Sequence, residues 1–244
     1  QGVTVDMMGP ADEVAVGRLL WENRAANRFV VGSQGTAYAL VAYFRARGWL
    51  AEAAPVAGLG RVERMAVVSG SVSPTTADQI AWACENGFAG VAFDVGAACG
   101  DGLPAAEDAA VRAGLAALDA GQVPLIYTAR GPDDPAVAGL RAAAGAELPA
   151  VNDRIGAALG RVLRALIERG GLSRAVVSGG DTSGHVCNAL GIDALTAVAP
   201  TIAGAAICRA HATGAMDGLH LALKGGQMGS RDYFGWVRDG GGAR

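Results

Sequence analysis

Lysine is all but missing from this sequence: of its 20 basic residues Lys224 alone is lysine, and the rest are arginine. The basic residues are scattered and the formal net charge is -3. Nothing concentrates the positive potential that a phosphate backbone demands, which argues against nucleic acid as a partner. Long hydrophobic runs are absent too. The long uncharged stretches, residues 29–44 with Gly32 and Gly35 and residues 194–208 with Pro200 and Gly204, are too short for the roughly 30 Å of a bilayer core, so no membrane span or secretory signal is read. Cysteine is scarce: Cys84, Cys99, Cys187 and Cys208 form no CxxC pair, and His185, His211 and His220 make no metal-ligand pattern with them. The expectation is reduced thiols in a cytoplasm, packed as small hydrophobes. The pattern GxxxxGK[ST] does not occur, which excludes a P-loop site.

A hydrophobic fraction of 51% over 244 residues is enough to fill a well-buried core. The 37 glycines sit singly or in short runs and punctuate turns. Short apolar runs, each closed by a Gly/Ser/Thr turn and followed by a helical pattern, predict an α/β fold: a Rossmann-like three-layer domain, its sheet mostly parallel, with helices on both faces. The expected strands are residues 29–32, 65–69, 90–94, 124–128, 174–178, 195–198 and 219–224. The clearest helix is expected over 153–169, where Ile155, Leu159, Val162, Leu163 and Leu166 recur at helical spacing, with Asn152 or Asp153 as its cap and Gly170 and Gly171 as its end. Others are expected near 12–24 and 107–120. Proline and glycines make 51–61 a linker between a C-terminal remnant of one domain, 1–50, and a second domain, 62–244.

In open α/β sheets ligands gather outside the carboxyl ends of strands, and three polar turns stand there. The first, residues 69–76, offers Ser71, Ser73 and Thr76 ahead of a helix; hydroxyls and bare amides at a helix start suit an anion, although the same residues serve an ordinary N-cap. In the second, residues 178–184, Gly179 and Gly180 let backbone approach a phosphate, Thr182 and Ser183 can donate, and Asp181 could hold magnesium through water. A purely structural glycine turn remains open there. The third, residues 223–229, sets the lone Lys224 before Gly225, Gly226 and Gly229, where a compact ammonium can meet a phosphate as a point charge, or simply face solvent. Weaker features are the turn at 32–36, Asp94 and the Tyr127–Thr128 strand end. His185 is expected to pack or face solvent.

The segments SGSVSPTTADQ (69–79), SGGDTSG (178–184) and LALKGGQMG (221–229), the last followed by Asp232 and Phe234, resemble the nucleotide-binding half of the four-carbon acid sugar kinase family. VVGSQGTAYAL (30–40) is similar to the segment closing that family's N-terminal domain. The resemblance implies an ATP- and Mg2+-dependent kinase that phosphorylates the terminal hydroxyl of an acid of the 3-oxo-tetronate, threonate or erythronate type. By it, Ser71 or Ser73, the Gly179 to Thr182 turn and the glycine turn after Lys224 contact ATP, with Asp181 and Lys224 as the catalytic pair and Asp181 toward the metal. Gln227 and Met228 stand where members often have Asn and Phe, and residues 201–206 replace a proline-rich stretch, which bears on the adenine contacts and the choice of acid. The family's acidic ADDxTG-like segment has no counterpart in these residues, so the acid-binding part is expected to lie outside them. A phosphosugar isomerase shares the Ser/Thr-rich first turn but has no use for the second and third; a regulatory module that binds nucleotide without turnover is the other alternative. Homodimerisation through the Ala-rich helices is an expectation only.

Overall fold

A computed structural model describes residues 4–52 and 54–244. It divides into two compact units, Gln1–Pro55 and Val56–Arg244. The first contains α1 (Pro10–Glu22) and α2 (Gln34–Ala46). Gly17 lets them close: a Cβ there would sit against the carbonyl of Ala39. Trp21, Phe44 and Trp49 cluster beside them, with Trp21 edge-on to Phe44 at 4.7 Å. The strand expected at 29–32 is not formed. These residues have no ladder partner among the described residues, with Phe29 92% and Val31 102% exposed, and an apolar run becomes a strand only where another strand takes its N–H and C=O groups.

The second unit holds a seven-stranded sheet in the order β2-β3-β1-β4-β7-β6-β5. Its strands are β1 (Ala66–Ser69), β2 (Phe88–Ala92), β3 (Val123–Tyr127), β4 (Arg174–Ser178), β5 (Ile192–Pro200), β6 (Ala206–Ala212) and β7 (His220–Lys224). Pairing is parallel from β2 through β7, and β6 and β5 add on antiparallel. The β1 side chains alternate between two cores. Ala66 and Val68 face one with α4 (Leu103–Asp119), α6 (Leu148–Gly170) and α7 (Gly180–Leu190), while Met65 and Val67 face the other with α3 (Pro74–Glu85) and α8 (Tyr233–Arg238). The helix α5 (Pro135–Ala144) precedes α6. This is the expected three-layer arrangement.

The apolar stripe of α6 lies on the sheet with Leu159, Val162, Leu163 and Leu166 fully buried, each contributing roughly 1.5–3 kcal/mol. Gly171 ends the helix at φ 62, and its N–H returns to the Ile167 carbonyl. Its start differs from expectation. The helix begins at Leu148 with Pro149 in its first turn, a position where proline's missing N–H costs nothing, so Asn152 and Asp153 lie within the helix and neither caps it. The second unit also takes up the end of the expected linker: Leu59 and Val62 donate backbone hydrogen bonds to the Gly240 (2.9 Å) and Arg238 (3.0 Å) carbonyls.

Candidate active site

Strands β1, β4 and β7 are neighbours in register, with Ser69 beside Ser178 and Ser178 beside Lys224. The three polar turns therefore leave the same edge of the sheet side by side. Backbone bonds tie them at their roots: Gly70 N–H donates to the Ser178 carbonyl at 3.0 Å, and Gly179 N–H to the Lys224 carbonyl at 2.9 Å. Above the roots the turns interlock. A Cβ on Gly70 would collide with Thr182 Oγ1, one on Gly179 would come within 2.8 Å of the same atom, and one on Gly226 within 2.5 Å of Ser71 Oγ. Gly179 also holds φ 128, a conformation closed to residues with a side chain. Glycine at these positions is what lets three backbones share so little space.

The first and third turns meet in a hydroxyl cluster. Thr76 Oγ1 lies 3.0 Å from Ser71 Oγ and 3.2 Å from Ser73 Oγ. The Gly226 carbonyl accepts from Ser73 Oγ and, at 2.8 Å, from Thr76 Oγ1. Ser73 also caps α3, its Oγ accepting the Thr76 N–H at 3.1 Å. Two of the three hydroxyl protons thus go to a carbonyl; Ser71, whose oxygen receives the Ser73 N–H at 3.3 Å, makes only a long bond to Ser73 Oγ at 3.4 Å. Farther along, the Gln79 amide donates to the carbonyls of Met228 and Ser230, both at 3.0 Å, and so fixes the glycine turn that ends at Gly229, whose φ is 96. At the strand ends the Ser69 and Ser178 hydroxyls are fully buried and without a hydrogen-bond partner among the described residues.

Lys224 is buried at 2% exposure, not on the surface. Its ammonium donates to the Gly225 carbonyl at 3.0 Å, Thr76 Oγ1 at 3.2 Å and the Gly226 carbonyl at 3.3 Å. All three protons are therefore spent inside the turn, and no carboxylate contacts it among the described residues. Burial pushes its pKa down to about 8. Because its N–H groups are engaged, its charge reaches the edge as a field through Thr76 and Gly226, not as a direct ligand bond.

The second turn is itself the start of α7. Gly179 is the N-cap, and Gly180, Asp181, Thr182 and Ser183 form the first turn; the Ser183 N–H donates to the Gly179 carbonyl at 3.0 Å, while those of Gly180, Asp181 and Thr182 have no partner in the helix, and the dipole there favours an anion. Ser183 Oγ turns back to the Gly179 carbonyl at 2.7 Å and is consumed there. Thr182 is nearly buried against Gly70, and Asp181 is exposed. Asp94 caps the turn after β2, its carboxylate accepting the Ala97 N–H at 3.3 Å. Tyr127 accepts from Arg130 at 2.7 Å and so belongs to packing.

A cleft of about 590 Å³ opens from the first two turns, with Gly70, Thr128 and Ala129 at its floor. One wall is α7, through Asp181, Gly184, His185 and Asn188; the other is α5 and α6, through Val137, Leu140, Leu148 and Ile155. His185 faces neither solvent alone nor the core. Its ring lies on Gly156 of α6, and its Nε2 is 3.2 Å from Asp153. Sequence reasoning did not find Asn152, Asp153 and His185 as a group. The available signal was the four-residue step from Asp181 to His185, which sets both on one helix face, and a glycine in the middle of α6.

The match to known proteins agrees with this geometry. The family model for the nucleotide-binding C-terminal domain matches residues 66–234. The chain is 42% identical over 243 residues to the 3-oxo-isoapionate kinase of Paraburkholderia graminis, covering 98% of this chain and 52% of that protein. It is 34% identical over 206 residues to the 3-oxo-tetronate kinase of Pseudomonas savastanoi, covering 84% and 45%. It therefore spans about half the length of these relatives. The crystal structure of the Haemophilus influenzae protein HI1011 superposes with a TM-score of 0.64 at 22% identity, over 96% of this chain and 52% of that one, a likeness of fold.

Proposed function

Since the chain belongs to the four-carbon acid sugar kinase family and carries its nucleotide-binding C-terminal domain, we propose that it supplies the ATP-binding half of a kinase acting on an oxidised sugar acid of the 3-oxo-isoapionate or 3-oxo-tetronate kind. The observation that carries this reading is the convergence of three interlocked glycine and hydroxyl turns at the carboxyl ends of adjacent strands. In this reading the polyphosphate lies across that edge. The Gly180, Asp181 and Thr182 amides of α7 and the Thr182 hydroxyl bind phosphate oxygens, Ser71 turns its hydroxyl proton from Ser73 to the ligand, and Lys224 and the helix dipole offset charge from beneath.

The donor set suits magnesium. Mg2+ in nucleotide sites takes one or two carboxylates and fills its shell with phosphate oxygens and water, and Asp181 offers one exposed carboxylate with no ion pair among the described residues. No cluster of three acidic, His or Cys side chains occurs among the described residues, so no all-protein cage competes with that arrangement. The metal, when bound, supplies charge neutralisation on the transferred phosphoryl group. The protein's part is to hold the phosphates in line and immobile, which is most of what phosphoryl transfer requires. The acceptor acid is the business of the companion half that the relatives possess.

Calorimetric titration with ATP, with and without Mg2+, tests the assignment. The expected result is saturable binding that Thr182→Val weakens in both conditions, whereas Asp181→Asn weakens only the Mg2+-dependent part. A folded chain that binds no ATP would overturn the reading. Turnover of 3-oxo-tetronate and 3-oxo-isoapionate by the full-length protein then separates the two acids.

A further inference from the structure

Lys224 is the single lysine among 20 basic residues, and its surroundings are not those of an ion pair. The ammonium meets three oxygens: the Gly225 and Gly226 carbonyls at 3.0 and 3.3 Å and Thr76 Oγ1 at 3.2 Å. All three are neutral. A buried charge is usually balanced by an opposite one, yet no carboxylate contacts this ammonium among the described residues. Neutral oxygens gathered around one positive centre are the setting of a dehydrated monovalent cation, whose water shell carbonyl oxygens replace. Thr76 belongs to the first turn and the two carbonyls to the third, so the charge fastens one turn to the other. More oxygens stand nearby. Ser69, Ser178 and Lys224 form one register row, and strand alternation turns all three side chains to the α3 face. Both serine hydroxyls are fully buried and have no hydrogen-bond partner among the described residues. An ammonium spends three protons and stops there; a free ion accepts further oxygens.

We propose that the Lys224 ammonium is a built-in monovalent cation. It holds the place between the first and third turns that a potassium ion would otherwise take, so the edge of the sheet works without potassium, and removing the side chain opens a site for that ion. This presupposes the phosphates of ATP at those turns. The choice of residue fits. Every other basic residue is arginine, and a planar, directed guanidinium cannot imitate a sphere of charge as a compact ammonium with three rotatable donors can. The tether also changes occupancy. A dissociable ion is present only in proportion to its concentration, whereas a side chain carried on the last residue of β7 is always at hand.

The experiment titrates the parent chain, Lys224→Ala and Lys224→Met with ATP at fixed Mg2+, and melts each of them, in lithium and in potassium chloride at one ionic strength, so that screening is equal. The parent should behave alike in both salts. Lys224→Ala should lose affinity in lithium and regain roughly fivefold or more in potassium, with a rise in melting temperature that the parent does not show. Ammonium chloride should act as potassium does. Lys224→Met fills the vacated space, and should lose affinity without responding to either ion. A parent that binds ATP more tightly in potassium than in lithium would overturn the proposal, because the ion would then have a place of its own. So would a folded Lys224→Ala indifferent to potassium, an equal potassium response in Lys224→Met, or a Lys224→Ala that stays unfolded in potassium, since the ion should restore the missing link. A parent that binds no ATP in either salt would remove the phosphate reading instead, and the melting comparison would still report whether potassium takes the place of the lysine.

Discussion

Strands β4 and β7 lie side by side with a buried cation at each end of the pair. Arg174 opens β4 opposite His220, and Lys224 closes β7 opposite Ser178. Exposures are 1% and 2%, and both side chains donate mainly to main-chain carbonyls, Arg174 Nε alone finding no partner among the described residues. Arg174 Nη1 donates to Gly60 at 2.9 Å, Arg238 at 3.0 Å and Val237 at 3.2 Å, fastening the segment before β1 to the end of α8. Lys224 does the same for a glycine turn, but at the carboxyl edge, under the three polar turns. A buried charge therefore does not identify a site; the end of the sheet on which it lies does. The choice of residue follows. The arginine stays charged and braces a wide span, and the lysine is compact enough to sit under a tight turn and weak enough a base to titrate there.

The sharpest way to break the comparison is Arg174→Leu. It removes three charge-assisted hydrogen bonds, the Arg238 and Val237 carbonyls keeping only their backbone donors Val62 and Gly240, and stability in urea should fall by on the order of 3 kcal/mol while the ATP affinity of the folded fraction holds. Loss of affinity with stability intact would erase the distinction between the two ends. Lys224→Ala should do the reverse, weakening ATP binding roughly 30-fold, about 2 kcal/mol, with a smaller drop in melting temperature because a desolvated charge is removed with the bonds. Lys224→Arg should not restore affinity, since a planar fork does not fit beneath Gly226.

Next in size is the pH dependence. The folded pKa of Lys224 is about 8 against an ordinary 10.5, so the unfolded chain holds this proton over a window in which the folded chain has released it. The cost of burying the charge is fully present below pH 8 and is relieved between about pH 8 and 10.5, so this group's contribution to stability rises with pH. Nucleotide binding runs the other way, because an anion favours the ammonium. ATP affinity should be roughly tenfold lower at pH 9 than at pH 7, and Lys224→Ala should flatten that profile. The smallest expected effect is Ser71→Ala, about a fivefold loss for ATP from one hydrogen bond of roughly 1 kcal/mol. An equal loss from Ser73→Ala without a change in melting temperature would mean that the cap serine also reaches the ligand.

The sequence is a good guide wherever neighbours along the chain decide the outcome. Strand β4 and the turns after β1, β4 and β7 are found where apolar runs meet Gly, Ser and Thr. The strand β6 was missed because Arg209 and His211 interrupt its apolar character, and it is held by antiparallel pairing on both sides, a tertiary fact. The cleft was illegible for the same reason: Asp153 and His185 are brought together by helix packing over Gly156. The burial of Lys224 could not be read from a residue type that usually faces water. Residues 29–32 show the converse error, a strand-like composition with no partner to pair with.

The fixing of the glycine turn by Gln79 also makes that turn hang on one atom. A single buried amide nitrogen serves two carbonyl acceptors, Met228 and Ser230. Exchanging that nitrogen for oxygen, as Gln79→Glu does, turns a donor into an acceptor aimed at two other acceptors, while burial shields the native amide from the water that would hydrolyse it. The variant should keep its sheet and both cores yet lose the clasp that sets Gly229 beside α3, and with it nucleotide affinity before ellipticity.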